Sequence, residues 1–322
     1  MDGFALTAVV SKKTADGVID QLYTDAWSYY LASSYQINSK NRLELYAVGA
    51  PQTHAQRLYS MNAAIYSTEL AEKLGYSQAA IDDFSSVENH NWNMNVASVS
   101  GYNGKQYASV GPETGMFDRQ LSGYLHEREN FFHKPQVNLN WYSYFGNGLN
   151  LSTVAYYSGG DGGGSGTMGD EEYDYTYSQR VVDWNATIED NRIQPGQVSN
   201  AIIRASVNSQ WTLGAISKLR KDFDSGFTGE IGVDWRIAEI DHYRDVRDLL
   251  GGLFFECSGS NGCGQSDFWG AGDEIVGFGD KIDYFNRNKV NWLGGYVQGE
   301  KSSLNGSVYG MAGASQISYD YE

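Results

Sequence analysis

Few residues in this chain could do chemistry, and they match one another poorly. His126-Glu127-Arg128-Glu129 sets a histidine beside two carboxylates, but a zinc-protease helix needs a second histidine four residues on, and none is there. His54, His90, His133 and His242 are scattered and form no ligand set, so no metal is expected. Asp161, Asp170, Glu171, Glu172 and Asp174 offer oxygen ligands in a Gly-rich stretch, but their spacing is not that of a calcium loop. They read as a solvated anionic loop. Gly162 to Gly166 lacks the Lys-Ser/Thr that completes a phosphate loop, and no G-x-S-x-G elbow is present. Asp82-Asp83 and Glu171-Glu172 are adjacent in sequence, which does not set two carboxylates across a glycosidic bond. No catalytic residue and no cofactor is therefore expected, and the chain reads as a non-enzyme. Cys257 and Cys263, too few for a zinc site, are expected to form a local disulfide in an oxidising compartment.

The elements that would carry these residues are strands. In 227–237, Phe227, Gly229, Ile231, Val233, Trp235 and Ile237 fall on one face, and Thr228, Glu230, Gly232, Asp234 and Arg236 on the other. The same alternation marks 210–220 and 136–145. Nine strands are expected, near 3–12, 25–37, 41–49, 134–146, 149–158, 205–221, 227–240, 288–301 and 305–319. In the eighth, Val290, Trp292 and Tyr296 oppose Asn291, Leu293 and Val297, which leaves its apolar face open.

The connections alternate. Asn38 to Asn41, Gly146 to Gly148, Asp222 to Gly226 and Ser302 to Asn305 are tight turns of Asn, Asp, Ser and Gly. The segments 13–24, 50–133, 159–204 and 241–287 are long. Placing every short turn at one end and every long loop at the other is the habit of outer-membrane barrels. Short helices are expected in the first long loop, one over 67–75 with Ser67 as its N-cap and one near 77–84. Gly159 to Gly166 reads as flexible.

The chain has 322 residues and a net charge of −16, a poor match to nucleic acid. No apolar run reaches the roughly 18 residues of a helical span, and a mean hydropathy of −0.46 is compatible with barrel strands. Gly (38) and Tyr (24) are abundant, as in thin, amphipathic sheets. Trp27, Tyr29, Tyr30, Tyr35, Trp141, Tyr142, Tyr144, Tyr156, Tyr157, Trp235, Trp292, Tyr296 and Tyr319 are expected to form aromatic girdles. Gln136, Asn138, Asn140, Lys218, Arg220, Glu230, Asp234 and Arg236 are expected to line a lumen.

Four phrases carry a resemblance: Ser11 to Asp20, Leu45 to Gln52 with His54, Gln56 and Arg57, Lys134 to Trp141, and Gly310 to Ile317. The chain resembles the barrel of TonB-dependent outer-membrane receptors, in the style of Bacteroidetes. The resemblance implies an all-β fold: an antiparallel up-and-down transmembrane β-barrel segment of about nine strands, incomplete, with short periplasmic turns and long extracellular loops. Residues 1–322 would be one partial barrel domain, with the plug and the C-terminal strands absent. The cell outer membrane of a Gram-negative bacterium is the expected location. Expected partners are outer-membrane lipid, a small-molecule or oligosaccharide ligand, a surface lipoprotein, and the TonB–ExbB–ExbD complex by way of the plug. Gln52, His54, Gln56 and Arg57 are the loop candidates for ligand recognition. Other functions compatible with the same strands are a passive porin or adhesin barrel and a secreted, soluble β-rich carbohydrate-binding protein.

Overall fold

Alternation along the sequence becomes a meander of long antiparallel strands. The computed structural model describes residues 3–83, 86–102, 104–110, 113–119, 122–176, 181–258 and 275–321. In chain order come β1 (Phe4–Asp16), β2 (Tyr23–Asn38), β3 (Asn41–Gly49) and β4 (Gln52–Ala55), then the short helices α1 (Ala63–Tyr66), α2 (Thr68–Lys73) and α3 (Gln78–Asp82). Next are β5 (Val96–Ser98), β6 (Lys105–Val110), β7 (Glu113–Asp118), β8 (Tyr124–His126), β9 (Glu129–His133), β10 (Gln136–Gly146) and β11 (Leu149–Gly169). The chain continues through α4 (Trp184–Ile193), β12 (Val198–Ser199), β13 (Ala201–Asp222), β14 (Phe227–Asp248), β15 (Phe254–Glu256), β16 (Ile275–Val276), β17 (Lys281–Ser303) and β18 (Gly306–Tyr321).

β1, β2, β3, β10, β11, β13, β14, β17 and β18 pair in that order, each antiparallel to the next. They are the nine strands legible in the sequence. The tight turns are built as their residues require. Asn147 (φ 53°) and Gly148 (φ 74°) both take the left-handed conformation that a two-residue primed hairpin demands. Asn38 Oδ1 accepts from the backbone N–H groups of Lys40 (2.9 Å) and Asn41 (3.0 Å), closing the β2–β3 turn.

Register assigns the faces. Leu45, Leu139, Ala155, Ala215, Trp235 and Leu293 form one row across six strands. Its larger members are exposed, as are Leu213, Ile231 and Val233 on the same face. The opposite face carries Gln136, Asn138, Asn140, Lys218, Arg220, Glu230, Asp234 and Arg236, as expected for a lumen. The ambiguity in β17 resolves: Leu293 and Val297 pair with Trp235 and Ile231 on the apolar face, and Trp292 and Tyr296 lie on the polar one. The girdle expectation needs the same correction. Trp141, Tyr157 and Trp235 are on the apolar face, but Tyr142, Tyr144, Tyr156, Trp292 and Tyr296 are not. Two of these tyrosines cover glycines directly across the ladder, Tyr156 over Gly214 and Tyr296 over Gly232, where a Cβ would collide with the ring. That pairing is one reason for the abundance of both residue types.

Two strands are interrupted at the same level. β3 and β4 are separated by Ala50-Pro51, and β9 and β10 by Lys134-Pro135. Proline cannot donate to a ladder, so it sits at breaks. The two proline carbonyls still accept, from Trp27 N–H (2.8 Å) and Gly159 N–H (3.1 Å). Above the breaks, β4 and β9 insert between β2 and β11 and carry the sheet upward.

Above this level the strands are longer than the alternation shows. β11 runs through Gly159–Gly166, so that segment is paired strand rather than flexible loop. The long connections shrink accordingly to 170–200 and 249–280. Here both faces of the sheet are covered. Ile202 belongs to a cluster with Met168, Val246, Leu249, Phe255, Val276 and Ile282. Its neighbour Ile203 points the other way, into a cluster with Val99, Leu125, Val182, Trp184, Ile188 and Leu250. The loops thus form a cap with its own core. The helix starts follow the sequence signals: Ser67 caps α2, and Ser77 caps α3 over a slightly shorter span than expected.

Candidate functional site

The cap positions its side chains through buried polar contacts. Asn191, wholly buried on α4, is the tightest of them. Its Nδ2 lies within hydrogen-bond reach of the carbonyls of Ala201 (2.9 Å), Leu250 (3.0 Å) and Leu249 (3.2 Å), and its Oδ1 accepts from Asn200 N–H (2.7 Å). One amide therefore joins α4 to the end of its own connection and to the start of the 249–280 connection.

The segment His126 to Glu129, dismissed above as a zinc site, is the hub of a network. His126 Nε2 meets the Gln21 carbonyl at 2.8 Å. The Glu127 carboxylate accepts from Asn95 Nδ2 at 2.8 Å. Arg128 pairs with Glu127 (3.3 Å) and donates to the Tyr59 hydroxyl. Tyr23 donates to Glu129. Burial pushes the Glu129 carboxyl and the Tyr23 phenol up, and the His126 imidazole down. Across a small cavity of about 50 Å³, Arg247 forks onto Asp245 (2.6 and 2.9 Å) and stacks on Phe131 at 4.4 Å. Arg119 pairs with Asp248, which also accepts from the Tyr102 hydroxyl at 2.7 Å. Four consecutive polar residues at 126–129 are the sequence signal for this hub. Their partners lie up to 106 positions away and have no local mark.

A larger, open cleft of about 470 Å³ lies on the cap surface, between the β1–β2 connection and the first two loops. Asp20, Trp92, Asn93, Tyr124, Asp174 and Asn185 are among its lining residues. Several polar groups are already engaged: Asp20 accepts from Asn89 Nδ2 (2.9 Å), and Asn185 Oδ1 accepts from Ser100 N–H (2.9 Å). The hydrogen bond from Thr176 holds the Asp174 carboxyl below its usual range. Carboxylates, amides and aromatic edges of this kind can hydrogen-bond to and stack on a polar molecule.

The four loop candidates occupy a different place. Gln52 and His54 are in β4, facing β2 and β9. Burial lowers the His54 pKa. Gln56 donates its backbone N–H to Arg128 at 2.9 Å. Arg57 donates to the carbonyls of His90 and Trp92, both at 3.0 Å, and stacks on Tyr66. None of the four lines the open cleft. Asp161 stands in β11, apart from Asp170 to Asp174, so the acidic stretch is not one cluster. Among the described residues no group of His, Cys, Asp and Glu is arranged to hold a metal. Cys257 packs against the Ile202 cluster; Cys263 lies outside the described residues.

No family model and no curated relative matches this sequence. Solved structures do match its fold. The unliganded ferric citrate transporter FecA superposes with a TM-score of 0.53 at 9% identity, over 99% of this chain and 33% of that one. FpvA of P. aeruginosa, bound to a pyoverdine–iron complex, gives 0.47 at 10% identity, over 99% and 33%. The ferric-catecholate import receptor Fiu of E. coli K12 gives 0.46 at 8%, over 100% and 44%. The chain spans about a third of the first two receptors. The fold is that of an outer-membrane receptor barrel, and the matching structures are TonB-dependent receptors.

Proposed function

We propose that this chain is part of an outer-membrane uptake receptor: it crosses the bilayer with the lower halves of its nine strands and captures ligand with the cap. The observation that carries the reading is the division of faces. Below the proline breaks the sheet exposes Leu, Ile, Val and Trp on one side and charged residues on the other. That side needs lipid, and the opposite side needs water. The fold shared with solved outer-membrane receptors supports it.

In this reading the carboxylate- and amide-lined cleft receives the ligand, and Gln52, His54, Gln56 and Arg57 shape the floor on which the first loop stands. The polar face lines the path inward, and a plug and the TonB–ExbB–ExbD complex supply gating and energy. The free edges of β1 and β18 are covered by further strands in the bilayer, where an unpaired edge is untenable. A surface lipoprotein lid remains part of the proposal, as does the disulfide between Cys257 and Cys263. The chain is read as a binding and transport unit without catalytic groups.

An immunoblot against residues 60–75, on fractionated membranes of the source cells, tests the reading. Recovery in the outer-membrane fraction is expected. Recovery in a soluble fraction would overturn it and favour a secreted β-rich protein.

A further inference from the structure

Three arginines converge at the top of the polar face with too little charge to balance them. Gly166 pairs with Arg204 across β11 and β13, and Arg128, the residue before β9, reaches Gly166 from its other side. A Cβ at position 166 would meet Arg128 Nη1 at 2.5 Å and Arg204 Nη1 at 3.0 Å, so the two guanidiniums share the space that the missing side chain leaves. Arg244 joins them from β14. It pairs with Ser206, two residues along β13 from Arg204, a diagonal that long side chains bridge. Counting two by two down β13 from Arg204 leads to Gly214, the partner of Arg236, so the trio stands on the lumen-lining face.

Among the described residues two carboxylates pair with the trio. Glu127 pairs with Arg128 at 3.3 Å, and Asp283 with Arg244 at 2.6 Å. Among the described residues the Arg204 side chain makes no hydrogen bond and no ion pair. Burial, with Arg244 and Arg128 alongside, brings its pKa down to about 10. Seven buried side-chain N or O atoms lack a hydrogen-bond partner among the described residues, and three of them are the Nε atoms of Arg128, Arg204 and Arg244. Such donors gathered in one place are costly unless an acceptor arrives. A planar guanidinium fork suits a carboxylate or a phosphate.

We propose that Arg128, Arg204 and Arg244 form an oxyanion-binding station at the top of the lumen, which takes a carboxylate or phosphate group of the ligand in transit. The inference rests on the uptake reading above and gives its ligand a chemical class: a molecule carrying at least one oxyanion. Arg204 is the member free to engage, and Gly166, having no side chain, lets the Arg128 and Arg204 guanidiniums lie close enough to share one oxyanion.

The test is thermal unfolding of the full-length receptor in detergent, with inorganic phosphate or succinate replacing chloride at matched ionic strength. A ligand that binds only the folded state raises its melting temperature. Both probes are expected to raise the wild-type transition, and Arg204→Gln to abolish that response. With the like-charge crowding relieved, Arg204→Gln without oxyanion is expected to melt no lower than wild type; an arginine with a merely structural role would melt lower when replaced. Gly166→Leu, which fills the shared space, is expected to weaken the response at least tenfold in probe concentration, and Lys218→Gln, lower on the same face, to leave it intact. An equal response in wild type and Arg204→Gln would overturn the station, and so would no response in wild type. If these variants still fractionate with the outer membrane, the station alone has failed. If the wild-type chain is soluble, the uptake reading has failed.

Discussion

The lower and upper halves of the same strands are stabilised in different ways. Ile231 and Leu293 in the lower half are more than half exposed, whereas Ile202 and Val246 in the upper half are fully buried. Among the described residues no buried hydrophobic cluster lies below the proline breaks; in the uptake reading the apolar face there is finished by lipid and the polar face by water. Above them the loops cover both faces, and the strands behave as the central layer of a soluble domain. In that reading one continuous ladder passes from a membrane solvent into a protein one, and the two halves should fail separately.

The largest effect is expected in the cap. Trp184 is almost completely buried in the cluster that covers Ile203. Trp184→Ala should cost about 3–5 kcal/mol, the usual loss for an aromatic core truncation. The expected readout is rapid protease cleavage in residues 170–200, while the barrel keeps its folded migration in unheated detergent gels. Simultaneous loss of both would show that the halves are one cooperative unit.

The lower half should respond to charge. Val233→Arg puts a guanidinium on the apolar face, at a cost of about 2–4 kcal/mol near the bilayer midplane and less near its edges. Urea unfolding in lipid vesicles measures it. Lys218→Gln on the opposite face should change stability by no more than about 0.5 kcal/mol. Equal costs on the two faces would break the assignment of lipid and lumen sides.

Asn191→Ala tests the joint between the loops. It leaves buried carbonyls of Ala201, Leu249 and Leu250 without their donor, and the expected loss is about 1–3 kcal/mol. Hydrogen exchange of the amides around 249–252 should quicken, and exchange in the lower strands should not.

The two halves also differ in how well they can be read from sequence. Below the breaks most strands have one apolar and one polar face, so period-two alternation, with the Asn, Asp, Ser and Gly of the tight turns, made the nine strands legible. Above them Ala201-Ile202-Ile203 is apolar at every position because both sides are buried, and the alternation that marks a strand is lost. Gly159–Gly166 misled for a related reason. Its glycines make room for packed neighbours, such as the Phe131 ring beside Gly163, and a run of glycines selected for space reads like one selected for flexibility. The site residues were hardest. Gln52, His54, Gln56 and Arg57 came from a recurring phrase and stand in β4 and just after it, away from the open cleft. Tyr23–Glu129, Tyr102–Asp248 and the three arginines join residues far apart in sequence, and side-chain type alone does not announce such pairs.

The smallest expected effect is on pH dependence, and it too is confined to the cap. His126 is buried between the Gln21 carbonyl, the Tyr23 ring and the Glu127 carboxylate, with Glu129 beyond Tyr23. Its Nε2–H donates to the carbonyl, its buried Nδ1 has no hydrogen-bond partner among the described residues, and burial holds its pKa below the ordinary 6.5. A depressed folded-state pKa adds stability that is present above 6.5 and is lost as the pH falls through the folded value. Glu129 runs the opposite way. Burial raises it, so its contribution is present below the ordinary 4.5 and is lost as the pH rises through its folded value. Between pH 7.5 and 5.5 the histidine should therefore loosen the cap, and protease cleavage within residues 50–133 should accelerate. His126→Gln keeps a donor for the Gln21 carbonyl and removes the titration, so its cleavage rate should be flatter over that window. Parallel profiles for the two proteins would place the pH response elsewhere in the cap, and a matching change in barrel migration would dissolve the division between the halves.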